Sequence, residues 1–162
     1  MNRVQENIYL RFYTTEDFSK LNKYHLTDED VYFTSPTHEV LETSQANDDC
    51  QMVLIMRDED IVGLFVLRYG DVILKHTNNP KALGLFSFSI DSNEKGQGIA
   101  SRAVKRLPDF IRAHYRDVDE VVLGVNVRNP AAQRAYLKGG FVDTGREFKG
   151  EIGDQKVFSL RV

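Results

Sequence analysis

An eleven-residue polar segment, Asp91-Ser92-Asn93-Glu94-Lys95-Gly96-Gln97-Gly98-Ile99-Ala100-Ser101, constrains this chain more than any other feature. It follows an apolar run, Ala82–Ile90. It opens a stretch in which Ile99, Ala103, Leu107, Phe110, Ile111 and His114 recur at helical spacing. A strand, a tight loop and a long helix must therefore follow one another. Glycine lets the loop turn sharply and brings a ligand close to bare N–H groups. The helix N-terminus adds unpaired donors and the positive end of a dipole, so the junction suits a phosphate.

The rest of the chain reads as strands and helices around that junction. Ile8, Leu10 and Phe12 alternate with Tyr9, Arg11 and Tyr13 in a first strand. Thr14 or Thr15 caps a helix with Glu16 and Asp17 at its positive end and Phe18, Leu21, Asn22 and His25 on one face. Residues 34–36 break the chain, and residues 37–46 form a second short helix. The Val-, Ile- and Leu-rich runs 51–57 and 61–69, joined by Asp58-Glu59-Asp60, predict a central hairpin. Residues 71–80 are an irregular excursion before the strand 82–90. The helix after the loop runs from near Gly98 to near Tyr115, with a kink or break expected at Pro108. Residues 118–127 are the most β-like. Asn129-Pro130 opens a helix to about Lys138, which Gly139-Gly140 stops. Residues 141–148 and 155–162 form a terminal antiparallel pair around 150–154. This order predicts an α/β (α+β) fold: one mixed, mostly antiparallel central sheet of about seven strands with helices on both faces. With 162 residues and no linker-like stretch, residues 1–162 are expected to form one domain.

Three phosphate-binding patterns compete for the Gly-containing loop. A P-loop needs G-x-x-x-x-G-K-[ST], which this chain lacks. A dinucleotide fingerprint needs G-x-G-x-x-G or G-x-G-x-x-A. Here Gly96-x-Gly98 is followed by Ser101, and the motif comes too late for a second βαβ unit. The third pattern is the pyrophosphate loop of acyl-CoA enzymes, Q/R-x-x-G-x-G/A, here Lys95-Gly96-Gln97-Gly98-Ile99-Ala100. Phe88-Ser89-Ile90-Asp91 precedes it, and Asn129-Pro130-Ala131-Ala132-Gln133-Arg134-Ala135-Tyr136-Leu137-Lys138-Gly139-Gly140-Phe141 follows further on. On these two blocks the sequence resembles the GNAT superfamily of acetyl-CoA-dependent N-acetyltransferases. The element order is also similar, so the resemblance covers nearly the whole chain. Lys95 departs from the usual Gln or Arg, although a long cation still suits a phosphate.

The resemblance implies a co-substrate, acetyl-CoA, and a site for it. The backbone N–H groups of Gly96, Gln97, Gly98, Ile99, Ala100 and Ser101 would cradle the pyrophosphate, with Lys95 beside them. The strand around Phe88 and Ile90 would splay from the strand around 123–127. The pantetheine arm would lie in that gap and pair with strand backbone. Asn126 and Asn129 would stand at its mouth, Asn129 matching the family residue that hydrogen-bonds the cofactor arm. Tyr136 matches the family's general acid, which protonates the departing CoA thiolate. The implied reaction moves an acetyl group to a primary amine of a small molecule or a peptide by direct attack. A catalytically silent acyl-CoA-binding sensor or interaction domain is the alternative, and Tyr136 separates the two, because a binder needs no acid.

Each of these residues also has a plain structural reading. The glycines could only turn the chain, Tyr136 could be a core tyrosine beside Ala132 and Ala135, Asn129 could be a helix cap and Asn126 could satisfy a bulge. His25, His38, His76 and His114 lack metal-ligand spacing and are expected at the surface or half-buried, with no metal. Cys50 is the single cysteine, expected as a small buried or partly exposed thiol; a cytoplasmic protein without disulfides follows from it. The acidic runs 28–30 and 58–60 read as solvated turns. The strand 82–90 offers Ser87 and Ser89 but no carboxylate, so no general base is legible there. Deprotonation of the acceptor falls to ordered water or to a carboxylate of the N-terminal half, where residues 25–46 are expected to wall the acceptor pocket. Twenty-one Lys and Arg against 24 Asp and Glu give a net charge of −3, with no footprint for nucleic acid or an anionic membrane. The longest apolar run, 61–67, is too short to span a bilayer, and residues 1–10 carry Arg3 and Glu6 without the apolar stretch of a secretory signal. A homodimer is left open.

Overall fold

Strands β1 (Ile8–Phe12), β2 (Cys50–Arg57), β3 (Asp60–Arg68), β4 (Ala82–Ile90), β5 (Glu120–Asn126), β6 (Val142–Gly150) and β7 (Gly153–Arg161) form one sheet in the order β1-β2-β3-β4-β5-β7-β6. The computed structural model describes residues 7–162, so the reading of residues 1–6 lies outside the described residues. Among the described residues only the β4–β5 pair is parallel and the other neighbouring pairs are antiparallel, as the element order predicts.

Among the described residues four α-helices accompany the sheet: α1 (Asp28–Phe33), α2 (Thr37–Ala46), α3 (Ile99–His114) and α4 (Pro130–Gly139). Alternation along β5 sends Val121, Leu123 and Val125 to one face, where they pack with Ile99, Val104, Leu107 and Ile111 of α3 and Tyr136 of α4. On the other face, Met52, Leu54 and Met56 of β2 and Leu64 and Val66 of β3 pack with Val40 and Leu41 of α2, and Cys50 is buried with them. Helices therefore cover both faces. Among the described residues no helix is long and apolar enough to cross a membrane.

Four sequence expectations are corrected. Of the kink or break expected at Pro108, the break does not occur: α3 runs continuously through it. A helix-interior proline costs about 3 kcal/mol. Burying Leu107, Phe110 and Ile111 around it, at roughly 1.5–3 kcal/mol for each side chain, outweighs that cost. Residues 15–23 form a 3-10 helix that ends before His25, and Phe18 on it is exposed. Its start is fixed by Asp17, which takes two hydrogen bonds from Arg11, at 2.7 and 2.8 Å, and one from the Thr14 N–H at 2.8 Å. The acidic run 28–30 is the first turn of α1, not a free turn. Thr27 caps it by accepting from the Asp30 N–H at 3.2 Å, and the Asp30 carboxylate accepts from the Thr27 N–H at 2.9 Å. His76 is buried, not at the surface.

Candidate active site

The parallel ladder between β4 and β5 is short. It joins Ala82 to Glu120, Leu83 to Val121 and Gly84 to Val122, and then stops. β4 continues to Ile90, still paired with β3, and β5 continues to Asn126, still paired with β7. The two strands therefore part, each held by its outer neighbour. A bulge sits on the parting strand: Phe65 of β3 faces both Ser87 and Phe88, and Ser87 has φ 56°. A non-glycine residue in the left-handed region is uncommon, and a bulge there bends the strand and re-aims the next side chain. That side chain, Phe88, stacks on Phe65 with ring centroids 5.7 Å apart. Among the described residues the facing edges of β4 beyond Gly84 and β5 beyond Val122 have no partner strand, so they offer backbone groups to an extended ligand.

At the end of β4, Asp91 accepts from the Asn93 N–H at 2.9 Å and starts the loop. Gly96 and Gly98 have φ 80° and 74°, and a Cβ on either would meet nothing within 4 Å. The space above them is open, and only glycine takes this backbone without strain. Gly98 caps α3 with no side-chain hydrogen bond, and the first intrahelical bond of the helix is Arg102 N–H to the Gly98 carbonyl at 3.2 Å. The N–H groups of Ile99, Ala100 and Ser101 are the orphan donors of the first turn. Side chains brace the loop from behind: Arg102 donates to the Gln97 carbonyl at 2.9 Å, Ser101 to the Gly98 carbonyl at 3.2 Å, and Gln97 to Glu94 at 3.1 Å. The Ile99 side chain is core. The loop thus fits a diphosphate through its backbone. Lys95 stands beside it, but its ammonium is ion-paired with Asp30 of α1.

Asn129 caps α4, accepting from the Ala132 N–H at 3.3 Å. Its Nδ2 has no hydrogen-bond partner among the described residues, so the cap leaves a donor at the mouth of the gap. Asn126 is different. Its Nδ2 donates to the Ile152 carbonyl at 3.1 Å and its Oδ1 accepts from the Arg128 N–H at 2.8 Å, tying the end of β5 to the β6–β7 turn. The pairing of β5 with β7 is regular through Asn126, so no bulge is involved.

Tyr136 is 8% exposed, on the helix that borders the gap. Its ring meets Phe88 at 5.6 Å and Phe141 at 5.8 Å between centroids. Its hydroxyl has no hydrogen-bond partner among the described residues, and burial pushes the phenol well above its ordinary value. It therefore stays protonated at neutral pH.

Two features on the opposite face escaped the sequence reading. Tyr24 and Ser89 share a hydrogen bond of 2.6 Å, which brings the segment before α1 onto β4. His76, from the excursion between β3 and β4, lies against Phe86 of β4 and Phe148 of β6, with centroids 5.6 and 4.9 Å away. Neither follows a local pattern, because each depends on residues distant in sequence. Among the described residues no group of three or more His, Cys, Asp and Glu could hold a metal.

The acetyltransferase (GNAT) family model matches residues 11–141. An uncharacterized N-acetyltransferase of Bacillus subtilis (strain 168), YbbJ, is 36% identical over 155 residues, covering 95% of this chain and 97% of the relative. Among solved structures, the aminoglycoside acetyltransferase AAC(6')-Ib in complex with coenzyme A and kanamycin is 17% identical with a TM-score of 0.78, covering 96% of this chain and 95% of that one. An acetyltransferase of the same family from Elizabethkingia anophelis, with acetyl-CoA bound, is 13% identical with a TM-score of 0.64, covering 98% of this chain and 100% of that one.

Proposed function

The chain belongs to the acetyltransferase (GNAT) family and is an acetyl-CoA-dependent acetyltransferase, and we propose that it acetylates the primary amine of a small molecule by direct attack, with Tyr136 as general acid. The observation that carries this reading is the end of the β4–β5 ladder at Gly84 and Val122, with Tyr136 on the helix that borders the opening. Acetyl-CoA supplies an activated thioester carbonyl. The loop from Gly96 to Ser101 holds its diphosphate through backbone N–H groups, and the free edge of β4 at Phe88 and Ile90 holds its arm. Asn129 donates to that arm through Nδ2. Tyr136 gives its proton to the sulfur as the C–S bond breaks, which spares the formation of a free thiolate.

Support for a small-molecule acceptor comes from the aminoglycoside complexes of the structurally similar AAC(6')-Ib. A cytoplasmic location accompanies this reading, since the lone cysteine is buried and unbridged. The test is release of CoA thiol from acetyl-CoA with a panel containing a polyamine, an aminoglycoside, an amino acid and a peptide N-terminus. Turnover with at least one small amine is expected. Tight CoA binding with no turnover above buffer hydrolysis would overturn the reading.

A further inference from the structure

We propose that His76 is the general base of the transfer, with Nε2 taking the proton that the acceptor ammonium must lose before it can attack. The inference rests on the acetyl-transfer reading above. Val121, Leu123 and Val125 face the α3–α4 core, so Val122 and Gly124 between them face the other side of the sheet. His76 lies on that other side. Nε2 is 3.3 Å from where a Cβ on Gly124 would stand, and the same Cβ would be 2.9 Å from the Phe148 ring. The absent side chain at Gly124 is thus what admits the imidazole to β5. Across the gap the ring touches Phe86. Gly124 and Phe86 each lie two residues past the last paired residues, Val122 and Gly84. His76 therefore spans the opening at its start, on the face opposite Tyr136. A base on one face and an acid on the other suit a nucleophile that enters from one side and a leaving group protonated from the other.

The imidazole is 5% exposed, and its Nδ1 is sealed from solvent with no hydrogen-bond partner among the described residues. A buried polar atom left in this way is costly and marks a group kept for something other than packing. Burial lowers its proton affinity. The Ile73 carbonyl partly opposes this, and Arg146 and Lys75 lower it further. The ring is neutral at pH 7, and a base at Nε2, the nitrogen nearest Gly124, requires that the proton sit on Nδ1. The same apolar walls, Phe86 and Phe148, disfavour an ammonium, which narrows the gap between donor and acceptor affinities. Glu120, the carboxylate on this face of β5, is already held by Thr77, Asn79 and Ser159, the last at 2.6 Å.

The protons balance. The ammonium gives one to Nε2, which passes it to water. The amine nitrogen bonds to the acyl carbon, the C–S bond breaks, and the sulfur takes the Tyr136 proton. The new amide nitrogen sheds its second proton, which restores Tyr136.

The test uses His76→Gln and His76→Phe in the full chain, with any amine that the wild type acetylates. We expect kcat to fall at least 10²-fold with CoA affinity unchanged. The wild-type profile of kcat should carry an acid limb with its inflection below the ordinary histidine value of 6.5, and the variants should lack it. In the wild type, ¹⁵N NMR should show a neutral His76 at pH 7 with the proton on Nδ1; this reading needs no variant to fold. A kcat within threefold of wild type, an acid limb that survives substitution, or an Nε2–H tautomer at pH 7 would each overturn the proposal. A wild type that acetylates no amine would overturn the acetyl-transfer reading, and the base with it; an active wild type with an unaffected His76→Gln overturns the base alone.

Discussion

Phe88 of β4 and Tyr136 of α4 meet edge to face, with ring centroids 5.6 Å apart. The contact joins the strand that leaves the ladder to the helix that borders the opening. The bulge at Ser87 is what turns Phe88 toward it. A backbone irregularity on one strand thereby brings an aromatic ring against Tyr136, whose hydroxyl the chemistry proposed for this chain depends on.

Gly98 offers a test of the loop. Both Gly98→Asn and Gly98→Asp add a side chain at φ 74°, where the Cβ meets nothing within 4 Å. The backbone penalty, roughly 1–2 kcal/mol, is similar for the two, so their melting temperatures should match. Only Asp adds a charge facing the diphosphate. Calorimetry should show CoA binding at least tenfold weaker for Gly98→Asp than for Gly98→Asn, about 1.4 kcal/mol. Equal affinities would remove the diphosphate from this loop.

Lys95 is ion-paired with Asp30, so a diphosphate has to compete with a carboxylate for the ammonium. Lys95→Met should weaken CoA binding by roughly threefold to tenfold, about 0.7–1.4 kcal/mol. Asp30→Asn frees Lys95 while keeping an oxygen for the Thr27 N–H, and it should leave CoA binding equal or tighter. Weaker binding in Asp30→Asn would mean that the pair positions the loop and does not restrain it.

Much of this arrangement was legible in the sequence, and the reason differs from place to place. β4 and α4 were readable because an apolar run and an Asn-Pro start with a Gly-Gly stop are local signals. The positive-φ glycines were readable because few other residues tolerate that backbone. α1 was not, because six residues carry too short a period and their acidic composition resembles a turn. The commitment of Asn126 to the β6–β7 turn was not, because its partner Ile152 is 26 residues away. The histidine over Gly124 needs three separate segments to be brought together, and no spacing rule anticipates that.

The Arg11–Asp17 pair should govern acid stability. Arg11, opposed by burial and aided by the Thr14 N–H, holds the Asp17 carboxyl down at about 2, against an ordinary value of 3.8. A depressed carboxylate contributes stability that is present above pH 3.8 and lost as pH falls through 2. The shift corresponds to about 2 kcal/mol. Asp17→Asn should lower stability by about that much at pH 7, with the difference from wild type shrinking between pH 4 and pH 2. A constant difference across that range, measured by urea unfolding, would assign the effect to packing.

The rate should report two ionisations with opposite signs. An acceptor amine with an ordinary pKa near 10 reaches the enzyme as the ammonium, the form whose proton His76 takes, so kcat/KM for the amine should rise as His76 loses its proton and stay level from pH 7 to 9. Tyr136 must be protonated to act, and burial raises its pKa, so the decline it causes is displaced above pH 10. A decline that begins below pH 9 would point to a different acid.

Tyr136→Phe tests the central claim most directly. The substitution removes one oxygen that has no hydrogen-bond partner among the described residues, and it keeps the ring against Phe88 and Phe141. Steady-state kinetics on an accepted amine should show kcat about 10²-fold lower, with CoA affinity and melting temperature nearly unchanged. An unchanged kcat in a folded, CoA-binding variant would contradict the account, because the hydroxyl would then have no part in releasing the thiol.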